Sequence, residues 1–175
     1  MGWNTALIVA QEKRIDDFLD SLDGSYAVTD EKLCFESATG MDLPSDSFAY
    51  LEINGRLFVS GDALHYLGDS VLIRLSKSGE GGGFYLASVI SAYGYKVFSD
   101  GEVSQKWAKG DDETVESWNI AEPYTATDDE IEVAKLGPNK WFDGETLVLN
   151  KFIDAIGVAF DELIEMEMSV ISPQP

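Results

Sequence analysis

The sequence predicts an α+β domain: a mainly antiparallel sheet built from hairpins, with an N-terminal and a C-terminal helix packed on it. Three observations predict this class. Two dipeptides, Asn54-Gly55 and Asp100-Gly101, each join a pair of apolar runs, and both can take the positive φ angles of the tight type I′ hairpin turn. The two helices expected to pack on the sheet lie toward the two ends of the chain. The composition, 45% hydrophobic and 25% charged over 175 residues, supports one full core without disulfide staples.

Taken in order, residues 5–9 form a continuous apolar strand. Over residues 13–22, Ile15, Phe18, Leu19 and Leu22 fall on one helical face. Asp23-Gly24 is expected to end that helix with Gly24 as a left-handed cap. A short strand is expected at 32–36, then a loop at 37–47. The first hairpin pairs residues 48–53 with 56–59 across Asn54-Gly55. Residues 61–67 read as a helical turn and 70–75, rich in Val, Ile and Leu, as a strand. The Gly-rich stretch 76–83 reads as a flexible loop. Residues 84–98 read two ways: Phe84, Leu86, Ser88, Ile90 and Ala92 alternate as in a strand, and Leu86, Val89, Ile90 and Tyr93 also line a helical face. The strand is favoured because 95–98 continue as one, Asp100-Gly101 turns the chain, and 103–108 return. Residues 109–140 are acidic and loop-like, with Pro123 and Pro138 as breakers. The C-terminal helix lies within 146–168, its stripe formed by Val148, Phe152, Ile153, Ile156, Phe160, Leu163 and Ile164, and Gly157 is placed to bend or split it. The expected organisation is a single domain over 1–170 and a frayed tail at 171–175, with the helices on one face of the sheet.

Thirty-two acidic side chains against 12 basic ones give a net charge of −20, and the pI is near 4.1. Such a surface repels a phosphate backbone and anionic membranes and attracts basic partners. The acidity is uneven. The quarter from 51 to 100 carries five acids and four bases, whereas 101–150 carries twelve and four. One cysteine excludes an intrachain disulfide or a Cys-based zinc site, and one histidine excludes His-pair metalloprotease motifs. Cys34, among apolar neighbours, is expected to be a buried, inert thiol. No apolar run reaches the roughly 18 residues of a membrane span. The start reads as a strand, not a secretory leader, so a cytoplasmic location is expected.

The stretch Ser91-Ala-Tyr-Gly-Tyr-Lys-Val-Phe-Ser-Asp-Gly-Glu102, followed by Asp111-Asp-Glu and Glu122-Pro123, resembles a pattern in small bacterial proteins of a family without assigned function. The opening Met1-Gly-Trp-Asn-Thr-Ala-Leu-Ile-Val9 resembles theirs too. Ala121 stands where that pattern has Gly. The resemblance implies a strand, an Asp-Gly turn and a return strand, and it implies no activity or cofactor.

Catalytic motifs fail one by one. The run Ser78-Gly-Glu-Gly-Gly-Gly83 lacks the Lys and Ser/Thr of a P-loop and breaks the dinucleotide fingerprint at Phe84, and Glu80 repels phosphate. His65 has no Gly-x-Ser-x-Gly elbow to serve. Neither acidic cluster has the alternating Asp pattern of a calcium loop. Those clusters remain the candidate site: Asp111, Asp112, Glu113 and Glu116, then Asp128, Asp129, Glu130 and Glu132. Trp107 and Trp118 flank the first cluster. Aromatic rings among carboxylates suit Arg and Lys on a partner through cation–π and charge contacts. The sequence therefore favours a non-catalytic acidic protein that masks a basic protein partner, with no cofactor, in the manner of a bacterial immunity protein that neutralises a cationic toxin. A carboxylate-based or metal-assisted hydrolase, a DNA-mimic inhibitor and an oligomeric structural domain stay open as alternatives.

Overall fold

The computed structural model describes residues 4–40, 42–87, 92–109 and 144–174. Eight strands form one antiparallel sheet in the order β2-β8-β3-β4-β1-β5-β6-β7. They are β1 (Asn4–Gln11), β2 (Tyr26–Cys34), β3 (Phe48–Ile53), β4 (Arg56–Ser60), β5 (Glu80–Ala87), β6 (Ala92–Ser99), β7 (Glu102–Lys109) and β8 (Glu167–Pro173). The helices are α1 (Ile15–Ser21), α2 (Phe35–Thr39), α3 (Leu64–Leu75), α4 (Gly144–Ile156) and α5 (Phe160–Leu163). The α+β class and the antiparallel sheet agree with the sequence.

Helices cover both faces of the sheet rather than one. Along β1, Leu7 and Val9 join a core with Phe35, Phe58, Phe84, Phe152 and Leu163, under α2, α4 and α5. Their neighbours Ala6, Ile8 and Ala10 point the other way, into a core with Phe18, Phe48, Leu64, Leu72 and Leu75, under α1 and α3. This explains the unbroken apolar run of β1. A strand covered on both sides has no polar face, so period-two alternation is lost. Ring contacts knit each layer to its helices: Phe152 lies 5.3 Å from Phe58 and 5.6 Å from Phe84 between ring centroids, and Phe18 lies 5.2 Å from Phe48.

Both dipeptide turns form as the sequence predicts. Asn54 and Gly55 have φ of 50° and 74°, and Asp100 and Gly101 have 53° and 80°. These values fit a type I′ turn, whose twist matches the flanking strands. Gly157, at φ 67°, ends α4 and separates it from α5, the split that its position suggests.

Several elements differ from expectation. Residues 70–75 are the second half of α3, not a strand. Leu64, Val71, Leu72 and Leu75 are its buried stripe, and a short apolar run cannot by itself separate helix from strand. The Gly-rich stretch is not a loop. After a 3₁₀ turn at Ser76–Ser78 it becomes β5, a strand between β1 and β6. Its glycines let α3 approach, since a Cβ on Gly83 would lie 2.8 Å from Leu72 Cδ1 and one on Gly81 3.0 Å from Cδ2. Residues 84–98 hold two strands, β5 and β6, with 88–91 outside the described residues. The strand at 32–36 is longer and earlier, β2, and Phe35 and Glu36 already belong to α2. The first helix ends at Leu22 in extended backbone, and Gly24 is not left-handed. The tail is not frayed through 174. Ile171 is fully buried, Ser172 and Pro173 pair with β2, and the Gln174 N–H donates to the Ser25 carbonyl at 2.8 Å. Backbone pairing to an edge strand holds what composition alone marks as a loose end.

Candidate partner-binding surface

Of the ten residues proposed to bind a partner, Trp107 lies on a described element, β7, in register with Tyr95. The other nine (Asp111, Asp112, Glu113, Glu116, Trp118, Asp128, Asp129, Glu130 and Glu132) lie outside the described residues. The residues on either side of that stretch are described. Lys109, the last residue of β7, stands opposite Tyr93 in the β6–β7 ladder. In the first turn of α4, Glu145 Oε2 accepts a hydrogen bond from the Tyr93 hydroxyl at 3.2 Å. Tyr93 is 9% exposed, so one buried tyrosine meets both β7 and α4.

Five bases of the described body have partners within it. Arg74 makes two 3.2 Å contacts to the carboxylate of Asp23 and also donates to the Ser21 carbonyl. The Arg14 guanidinium lies 3.8 Å from Glu52, whose other oxygen accepts the Ile15 N–H at 2.7 Å and fixes the start of α1. Lys32 donates to the Ser169 hydroxyl. Lys151 Nζ sits 5.4 Å from the centre of the Tyr95 ring. Lys96 on β6 is 3% exposed and pairs with Asp69 of α3 at 2.5 Å.

Acidic side chains face outward along the β2 edge. Asp30 and Glu31 occupy the irregularity between Val28 and Lys32, where β2 bulges against β8. Such a charged bulge discourages another strand from adding to the edge. Glu36, Asp161, Glu162, Glu165 and Glu167 are exposed nearby. Phe35 of α2 meets Phe160 of α5 edge-on at 6.1 Å, and Cys34 is paired with Glu167.

Cys34 is exposed, not buried as expected. It is the last residue of β2 and the N-cap of α2, and Leu33 takes the inward position beside it. Hydrogen bonds from the Ser37 hydroxyl and then the Ser37 N–H favour the thiolate and hold its pKa below the ordinary thiol value. His65 stands in the first turn of α3 with its ring edge-on to Tyr85, 5.0 Å away. Burial holds the His65 pKa below its ordinary value, against a smaller opposite pull from Asp62. Burial likewise pushes the Tyr85 hydroxyl upward.

A cleft of about 220 Å³ opens under α4, with Val9, Gly82, Phe84 and Val97 below and Gln11, Glu80, Lys151 and Asp154 around it. The sequence reading missed it because its residues come from four separated segments. The one local signal is Glu80, a charge at the head of a glycine run that turns out to be a strand. Among the described residues no group of three or more His, Cys, Asp or Glu side chains is placed to hold a metal ion, and no helix is long and apolar enough to cross a membrane. No family model, curated protein or solved structure matches the chain.

Proposed function

We propose that the chain is a non-catalytic binding protein whose carboxylates mask a basic surface on a protein partner, as a bacterial immunity protein does to a cationic toxin. One observation carries this reading. Residues 110–143 hold ten acids against two bases, a net −8, and the described residues on either side of them, Lys109 and Glu145, both meet Tyr93.

A run of like charges this dense attracts a basic partner. Attraction of this kind steers encounter, lifting association from roughly 10⁵–10⁶ M⁻¹s⁻¹ toward 10⁸ M⁻¹s⁻¹ or more at low salt. It also fades as the screening length shrinks from about 10 Å at 0.1 M salt to about 3 Å at 1 M.

The test is a pull-down of the tagged chain from its own host's lysate, with nuclease added, at low and at high salt. One basic protein should be captured, and it should be lost at high salt and on reversing Asp111, Asp112, Asp128 and Asp129 to Lys. Capture that survives the four reversals refutes the reading, as does an empty pull-down at low salt. Competition by added duplex DNA for the captured protein would identify its target surface as one that reads phosphates.

A further inference from the structure

The cleft under α4 has a polar rim over an apolar floor. Half-buried Val97 and Ala155 form the floor, with the buried Val9 and Phe84 behind them. Gly82 adds no bulk there, where a Cβ would meet the Phe84 ring at 2.8 Å. Two exposed carboxylates, Glu80 at the head of β5 and Asp154 on α4, stand on the rim. The Gln11 side-chain amide donates to Glu80 at 3.1 Å and so orients it. Lys151 shares the rim, but its ammonium is drawn onto the Tyr95 ring.

Apolar floor and carboxylate rim together complement one kind of group, an aliphatic stem that ends in a cation. At about 220 Å³ the cleft is smaller than the roughly 300–1,000 Å³ of drug-sized ligand sites, and it suits a single side chain. We propose that it seats one lysine or arginine side chain of a protein partner, with the stem on Val97 and Ala155 and the charge at Glu80 and Asp154. This rests on the acidic-partner reading above and adds to it a short-range anchor, which diffuse charge lacks. Anchors of this kind concentrate binding energy in a few pockets.

Acetyl-arginine amide, acetyl-lysine amide and uncharged acetyl-norleucine amide, titrated into the ¹⁵N-labelled 175-residue chain, provide the test. The two cationic amides should shift the Gly81, Gly82 and Gln11 side-chain resonances saturably, and the norleucine amide should not. Replacing Glu80→Gln and Asp154→Asn should each weaken the titration about two- to fivefold, the range of exposed charge pairs. Lys151→Gln should strengthen it by a similar factor. Each variant's spectrum shows directly whether it is folded. Absence of saturable shifts, equal shifts with norleucine amide, or a titration that survives loss of both carboxylates overturns the proposal. A silent cleft beside a salt-sensitive captured partner removes the anchor alone. Arginine binding in the cleft with an empty pull-down removes the broader reading and leaves the cleft.

Discussion

Removing Asp69 should harm the fold far more than removing Lys96, although the two form one ion pair. Lys96 is 3% exposed while Asp69 is 43% exposed. Asp69→Ala removes the carboxylate paired with a buried ammonium, whereas Lys96→Met places an apolar chain of similar length there and returns Asp69 to water. Deleting one partner of a fully buried pair costs about 3–5 kcal/mol, and exchanging the buried charge for a hydrophobe is often neutral. Because water reaches Asp69, the loss falls just below that range, about 2–3 kcal/mol for Asp69→Ala. For a chain of this size that lowers Tm by about 4–12 °C. Lys96→Met should stay within about 1 kcal/mol of the parent, the tolerance of volume-conserving exchanges. The double variant should resemble Lys96→Met, because Asp69 matters only while the ammonium is present. Urea denaturation of the four proteins closes the double-mutant cycle, whose coupling term isolates the pair. Equal losses for the two single variants, or an Asp69→Ala loss below about 0.5 kcal/mol, the noise level of surface substitutions, would refute the idea that the ammonium is sealed under α3.

Three further outcomes follow from the geometry. Gly157→Ala puts a Cβ against the Arg56 guanidinium at a φ of 67°; the backbone strain alone is about 1–2 kcal/mol, visible as a lower Tm. His65 has a folded pKa below its unfolded value, so the unfolded chain binds more protons below about pH 6.5 and stability is lost as pH falls through that window. His65→Gln should remove this part of the slope, and identical denaturation curves from pH 7.5 to 5 for both proteins would contradict it. Ser37→Ala removes the largest cause of the lowered Cys34 pKa, so iodoacetamide labelling of Cys34 should slow near neutral pH, with the rate–pH profile moving to higher pH.

The parts of the fold legible in the sequence are those whose cause is local. Asn54-Gly55 and Asp100-Gly101 carry their own backbone preference, so two hairpin turns could be placed from four residues, although a bulge shifts the second ladder between Val97 and Phe98. Leu64, Val71, Leu72 and Leu75 also carry a pattern, but Val71-Leu-Ile73 reads equally as strand, and only the α3 packing against β1 and β5 decides it. The glycines at 81 and 83 are the opposite case. Their purpose is to admit Leu72, a side chain from another element, and no local rule distinguishes that from a flexible loop. Ile171 to Pro173 fail in the same way, since their partners lie in β2, about 145 residues earlier.

Charge behaves like the glycines. The sum of −20 can be read from composition, but the arrangement of that charge on the body cannot. Lys96 and Arg74 look like surface bases in the sequence, yet one is buried on Asp69 and the other is clamped on Asp23. Each such pairing fixes where one acid is cancelled, so the negative excess lies where acids have no base beside them. Lys151, on the Tyr95 ring, stands at the Glu80–Asp154 rim. The fold thus sorts a general acidity into local surfaces by where it places its bases. A partner reads those surfaces, and it would be selected by where the bases went as much as by where the acids are.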